Sequence, residues 1–523
     1  MNYQLNKDHV KVLFIRPPCH LWPILNESDN FLMPLSFPSL SAYLKREMEG
    51  VTVKTIDCLP LKIGYRSLQK IIADENPDIV GVGECLPYIY EGLKSLKIAK
   101  KLNPNVISIV GGHFHSHMIE HSLTNHPEID FIVRYEGEKY LKELIETLRN
   151  GDDLSKVKSI AYRENNKIIE TEIGNLIKNL DDLPIPDYDS MPVEKYAPFG
   201  KLFPKAVTIQ ASRGCPMNCE YCSWSAQEGE HKHVNGKIHL VPSRRTKSVD
   251  RVLEEIDILY KKFKIRYLFW VDGTWNYDTD WLDNLCTEII KKKYKLGWWA
   301  FVRADLLLEQ EKQGVLEKMV HAGLRHTLIG GERCSETDMK FIGKSGLNGL
   351  ETYEVSHLLK KKYPAVFRQC TFITGIRTET RESLEQLGAY ARKTAFDFVS
   401  FHSIMPYPGT PLWEKANKEG WIEVKDFSKY DMFHPIISSE SLTREEIAHL
   451  NNKLHQDFVL KRPKNYLKGL FSRVKIRRTL HRWFLFATTR LLLRDLYLAY
   501  KGEKKLEGFA AINKLWKPKW YNN

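Results

Sequence analysis

The stretch AVTIQASRGCPMNCEYCSW, residues 206–224, begins as an apolar strand and then places Cys215, Cys219 and Cys222 within eight residues. Three of the chain's nine cysteines thus crowd one loop. In a reducing compartment, bunched thiols point to metal or catalysis rather than to disulfides. The spacing C-x3-C-x2-C turns three thiolates toward one centre, and thiolates suit zinc and iron–sulfur clusters alike. A structural zinc would take His231 or His233 of EHKH as fourth ligand, since Cys3His is an ordinary closed site. The spacing differs, however, from the paired knuckles of zinc sites, and the end of a barrel strand is wasted on a staple. Three ligands for four irons would leave one iron open to bind and reduce a substrate.

Outward from this loop, strand candidates alternate with helices: IRYLFWVDG, LGWWAFVRA, HTLIGGE, AVFRQCTFITG and FVSFHSIMPYPGT follow, separated by segments such as SVDRVLEEIDILYKKF. Six such units imply a partial (β/α)6 barrel over residues 196–435, with chemistry at the strands' carboxyl ends. Upstream, KVLFIRP, VTVKTID, DIVGVGE, VISIVGG and FIVRYEG alternate with helical segments. That pattern predicts an α/β, doubly wound parallel sheet over residues 1–150. Turn residues in NGDD and DDLPIPDYDSMP then mark a hairpin and linker over 151–195. Residues 436–523 read as a mainly helical, basic end.

Composition bounds the rest. At 523 residues, with 43% hydrophobic and 27% charged, the chain is globular and has more than one domain. The N-terminal residues enter a strand with no leader-like core, and no apolar run is long enough to span a bilayer; a cytoplasmic protein is expected. Residues 461–523 hold 17 Lys and Arg against 3 Asp and Glu, which absorbs the whole formal charge of +13. The body is nearly neutral, which excludes a nucleic-acid groove over the core.

The run Cys215-Pro-Met-Asn-Cys219-Glu-Tyr221-Cys222 resembles the radical S-adenosylmethionine (SAM) signature, including the aromatic residue before the third cysteine. The resemblance implies that the three cysteines hold a [4Fe–4S] cluster whose open iron chelates SAM. Asp272 and Gly273 of WVDG, Arg303 of FVRAD, Glu332 of IGGE and Gly375 of FITG fall at strand ends that match the superfamily's SAM contacts. Carboxylates suit the ammonium and ribose of SAM, and an arginine suits its carboxylate.

Ahead of such a barrel, the first domain resembles the cobalamin-binding domain of B12-type radical enzymes. The resemblance rests on VLFIRPP, FPSLSAYL with Ser39, VGGHFHSH with Gly111, Gly112 and His113, and IVRYEGEKYLKELI with Glu136, Gly137 and Glu138; Gly83 and Glu84 of VGVGE mark a further Gly-bearing strand end where such sheets bind cofactors. No Asp-x-His-x-x-Gly motif occurs in residues 1–150, so the lower cobalt face is left to water or to a non-ligating side chain; His20 of PPCH is read as a loop histidine. The trio His113, His115 and His117 is read as corrin-contacting or solvated rather than metal-binding.

Within this class the second half resembles relatives of the anaerobic magnesium-protoporphyrin monomethyl ester cyclase, although VDGTWNYD replaces that pattern's acidic run. The implied reaction is cleavage of SAM to a 5′-deoxyadenosyl radical, hydrogen abstraction and C-methylation from methylcobalamin. Oxidative cyclisation is the second reaction, and a corrinoid-binding sensor with structural zinc is the alternative of another class. The implied partners are a small-molecule substrate and a flavodoxin- or ferredoxin-type electron donor, with no nucleic acid. In the tail, Lys475, Arg478, Arg482, Arg490, Arg494 and Lys501 fall on one helical face, with Trp483, Phe484, Leu491, Leu492 and Leu498 mostly on the other. Such a helix either packs on the barrel or lies on an anionic membrane, and the second case favours a lipid or isoprenoid-like substrate.

Overall fold

The computed structural model describes residues 5, 6, 8–19, 32–83, 86–196, 205–234, 237–344, 346–501 and 520–523. Parallel strands β1 (Val10–Arg16), β2 (Val51–Asp57), β3 (Ile79–Gly83), β4 (Ile107–Gly111) and β5 (Phe131–Val133) lie in the order 2-1-3-4-5. β3 and β4 are buried up to their terminal glycines, as strands covered by helices on both faces must be. The strand order reverses between β1 and β3, the place where open α/β sheets bind ligands.

The hairpin β6 (Ile160–Glu164) and β7 (Lys167–Glu170) extends this sheet, β6 pairing antiparallel with β5. The sequence grouped that hairpin with the linker. It belongs to the sheet because β5 would otherwise end in an open apolar edge, which Ile160 and Tyr162 cover. The linker then ties both halves: Tyr196 donates to Asp57 at the end of β2 at 2.5 Å, and Tyr188 donates to Glu255 of the barrel helix Val249–Lys261 at 2.6 Å.

The second sheet starts at β8 (Ala206–Ile209). A ribbon element β9 (Ser212–Gly214), a hairpin of β10 (Glu230–Val234) and β11 (Lys237–Val241), and the ribbon partner β12 (Arg244–Thr246) intervene. Then β13 (Tyr267–Trp270), β14 (Gly297–Val302), β15 (Leu324–Glu332), β16 (Phe367–Thr374) and β17 (Phe398–Ser403) line up after β8 in chain order, all parallel. This is the expected six-stranded partial barrel. Alternate residues divide its faces: Val207, Leu268 and Trp298 join the helices outside, while Tyr267, Phe269, Trp299 and Phe367 pack inside.

The helix Lys475–Tyr500 resolves the tail's two options only in part. Leu480 and Phe484 are buried against the inner barrel cluster, and the Phe484 ring stacks on Phe398 at 4.0 Å, closing the barrel's amino-terminal mouth. The opposite face does not carry charge alone. Leu485, Phe486, Leu493, Leu496, Tyr497 and Tyr500 form one exposed stripe, from 44% to 88% accessible, because this half of the helix is apolar round most of its circumference. The side chains of Arg490, Leu491, Leu492, Arg494 and Leu498 lie outside the described residues. No helix among the described residues is long and apolar enough to cross a membrane.

Candidate active site

The cysteine loop leaves β9 at Gly214, which is in the left-handed region (φ +78°) and where a Cβ would sit 2.1 Å from the Ser243 carbonyl oxygen, so only glycine serves. The Gly214 N–H donates to Glu228 at 2.7 Å, Glu220 N–H to the Ile342 carbonyl at 3.1 Å, and Leu412 N–H to the Glu220 carbonyl at 2.9 Å. The loop is therefore fixed from three sides. Cys215, Cys219 and Cys222 are all free thiols. Burial raises the Cys219 thiol, with Lys344 opposing and Glu332 and Cys215 adding. Burial and then Cys219 push Cys222 up to about 12. Thiols placed this way stay protonated in a bare protein and are ionised by a bound cationic centre.

Among the described residues no three His, Cys, Asp or Glu side chains converge on a point that holds a single metal ion. A zinc site needs such convergence, whereas an iron–sulfur cube gives each thiolate its own iron. Three cysteine thiols on one short loop are a donor set that an iron–sulfur cluster takes. The histidine offered as zinc's fourth ligand, His231, instead lies on Tyr135 with ring centroids 4.0 Å apart; the side chain of His233 lies outside the described residues.

At the strand ends, Asp272 is fully buried and accepts from Ala211 N–H at 3.1 Å and Ser212 Oγ at 2.5 Å. Its carboxylate orders the approach to the cysteine loop. A Cβ on Gly273 would meet Cys215 Cβ at 3.3 Å, so the glycine lets this strand end close on the thiol. Arg303 is held by a two-pronged pair to Asp305 at 2.8 and 3.0 Å and senses Cys219 and Cys215. Glu332 adopts a positive φ of 50°, is 8% exposed, and meets the Tyr221 hydroxyl. Burial first, and then Glu332, raise that phenol well above its usual range. Gly375 is further out, donating to Glu379 at 3.1 Å and packing on Ile447.

Sequence reading missed Lys344. This lysine is only 7% exposed, donates to the Gly330 carbonyl at 2.7 Å and lies 3.3 Å from Glu332. Its place in FIGKSG, after a helix rather than at a strand end, gave no signal.

The first domain brings its own carboxyl ends to this place. Gly83 and Gly111 are side by side in register, and Gly112 starts the short helix His113–His117. That helix packs on Ser223–Glu228, which follows the cysteines: His117 Nε2 lies 3.2 Å from the Ala226 carbonyl. Gly409 of PYPGTP covers His117, where any Cβ would lie 2.2 Å from the ring. The half-buried His113 ring meets the Pro408 backbone, and burial pushes its pKa down to about 4. A polar ring just past the carboxyl end of β4 suits the amide-rich edge of a corrin. His115 is turned inward to Ser122 at 2.9 Å, so the three histidines do not form a metal site. Ser39 is half-buried on the helix Ser36–Glu47, and a Cβ on Gly137 would meet Leu40 at 3.1 Å. Glu136 is engaged by protein on both oxygens, accepting from Arg213 and Arg245 on one and from Ile177 N–H on the other. Glu84 and His20 lie outside the described residues.

An open α/β domain whose strand ends face a three-thiol loop on a six-stranded partial barrel defines a two-cofactor radical enzyme. The B12 binding domain family matches residues 21–145 and the Radical SAM superfamily matches residues 209–391. An uncharacterized methyltransferase of Pyrococcus horikoshii is 31% identical over 94% of this chain and 99% of its own. The anaerobic magnesium-protoporphyrin IX monomethyl ester cyclase of Rubrivivax gelatinosus is 27% identical over 90% of this chain and 80% of its own. Among solved structures, the cobalamin-dependent SAM radical enzyme OxsB has a TM-score of 0.70 at 18% identity, covering 94% of this chain and 73% of OxsB. The radical SAM methyltransferase TsrM of Kitasatospora setae has 0.65 at 14%, covering 92% and 100%. The chain belongs to the cobalamin-dependent radical SAM enzymes, whose cofactors are a [4Fe–4S] cluster, SAM and cobalamin.

Proposed function

We propose that the protein is a radical C-methyltransferase of a small, largely apolar molecule. The observation that carries this is the direct packing of the helix after β4 on the helix after the cysteines, which supports a reading in which both cofactors meet at one interface. When bound, the cluster and SAM supply a 5′-deoxyadenosyl radical, and methylcobalamin supplies the methyl group. In this reading Cys215, Cys219 and Cys222 hold the cluster. Tyr221, Gly273, Arg303, Glu332 and the newly found Lys344 surround SAM, with Asp272 and Gly375 shaping the strand ends. Ser39, Gly83, Glu84, Gly111, Gly112, His113 and Gly137 line the corrin side. The division at residues 150, 195 and 435 separates corrin domain, hairpin with linker, barrel and tail, and the hairpin joins the corrin domain's sheet.

The substrate chamber is the barrel interior, where Phe301, Leu328, Gln369, Thr371 and His402 are only partly covered and Phe484 forms the floor. Methylation consumes SAM twice, so S-adenosylhomocysteine should accumulate beside 5′-deoxyadenosine in anaerobic assays with extracted metabolites. Deoxyadenosine alone, with a metabolite that loses hydrogens, would favour the cyclase-type reaction suggested by the Rubrivivax gelatinosus relative.

The exposed apolar stripe of Lys475–Tyr500, in a segment rich in Lys and Arg, supports contact with an anionic membrane face and hence a lipid or isoprenoid-like substrate. An enzyme of the methylcobalamin type also needs an external low-potential donor of the flavodoxin or ferredoxin kind.

A further inference from the structure

Three segments far apart in sequence meet beside the cysteine loop. Glu136 and Glu138 lie at the start of the helix Gly137–Asn150, just past the carboxyl end of β5. Arg213 lies on β9, two residues before Cys215, and Arg245 pairs opposite it on β12. Arg213 donates to Glu136 at 3.0 Å and to Glu138 at 2.5 Å; Arg245 donates to Glu136 at 2.8 Å and to the Ile177 and Glu228 carbonyls at 2.7 and 3.2 Å. The second oxygen of Glu136 accepts from Ile177 N–H at 2.8 Å. The four side chains are only 5% to 14% exposed, and two anions balance two cations.

Such a knot is a poor investment in stability, because removing four ionic groups from water offsets most of their attraction, and apolar replacements are often as stable. What a two-pronged arginine supplies is fixed orientation. Both carboxylates come from the cobalamin half and both guanidinium groups from the ribbon that begins the cysteine loop. Around them, Gln227 donates to the Tyr135 carbonyl at 3.2 Å, and Glu228 holds Gly214.

We propose that Glu136, Glu138, Arg213 and Arg245 form a clamp that positions the corrin half against the cluster loop and so fixes the separation and orientation of the two reactive centres. In this role the four residues are positioning residues, acting through the two segments they join. The inference rests on the assignment of the thiols to the cluster and of the first domain to cobalamin.

The test uses the full chain reconstituted with iron, sulfide and cobalamin, and frozen-solution EPR of the magnetic coupling between cob(II)alamin and the reduced cluster. Arg213→Lys keeps the charge but loses the fork; the double variant Arg213→Met with Glu138→Met replaces the pair by apolar chains. Expected is parental iron and cobalamin loading, a melting temperature close to the parent's, and loss of the single coupled spectrum in favour of a spread of weaker couplings. Arg213→Lys should show the smaller loss. A spectrum unchanged in both variants, with both centres loaded, would overturn the clamp alone. A parent that fails to bind cluster or cobalamin would overturn the cofactor assignment and the clamp with it.

Discussion

The two mouths of the barrel are built by opposite means. At the carboxyl end, Asp272, Glu332, Arg303, Lys344 and backbone donors are each tied at hydrogen-bond distance, so position is specified atom by atom. At the amino end, the floor is specified by volume: Phe484 stacks on Phe398 and Phe367, and Leu480 is wholly buried. One charged contact, Asp397 with Arg368 and Arg477, pins the helix there. Polar positioning groups thus gather at one end, and apolar packing closes the other.

Substitutions at the two mouths should therefore separate activity from stability. The largest effect is expected from Cys219→Ala, which should abolish SAM cleavage while leaving the fold intact; 5′-deoxyadenosine formation and iron content check it, and an active variant would refute the assignment. At the other mouth, Phe484→Ala should cost about 3 kcal/mol through the cavity it leaves, read as a lower melting midpoint with iron content preserved.

Between these lies a pH effect at the domain interface. His113 is kept neutral with its pKa near 4, against 6.5 in the unfolded chain. The unfolded state therefore binds more protons, so this stability is complete above 6.5 and is lost as pH falls toward 4. A loss of up to about 3 kcal/mol is expected from this group. Denaturant midpoints should fall between pH about 7.5 and about 5, less so in His113→Phe.

Lys344→Met should lower the cluster's reduction potential, because a cation beside Cys219 favours the more negative, reduced form; an unchanged potential in a redox titration would show the lysine to be remote in effect. The smallest stability change, within about 0.5 kcal/mol, is expected for Leu485→Glu with Phe486→Glu, since both are exposed. That pair should nevertheless abolish sedimentation with anionic vesicles, and full binding by the variant would argue against a membrane face.

The same contrast explains what was legible in the sequence. Strands β1–β5, β8 and β13–β17 were readable because fully apolar runs bounded by turns leave little choice, and the three cysteines because their spacing is local. The ion pairs of Glu136 were not legible because its partners, Arg213 and Arg245, are 77 and 109 residues away, and no local pattern reports an ion pair between domains. Lys344 gave no signal because it follows the helix Glu336–Phe341 rather than a strand end. The helix Lys475–Tyr500 was half legible: its charges gave a face, but only the barrel's open mouth decided that Leu480 and Phe484 are buried and Leu485 and Phe486 are not.

The central claim, methyl transfer at a joint cofactor interface, is tested most directly by feeding the anaerobically reconstituted enzyme SAM bearing a deuterated methyl group, with reductant and a small-molecule extract. The account predicts a metabolite that gains the intact labelled methyl group as 5′-deoxyadenosine and S-adenosylhomocysteine both appear. A product that changes only in hydrogen or oxygen content, with no label and no S-adenosylhomocysteine, would contradict it.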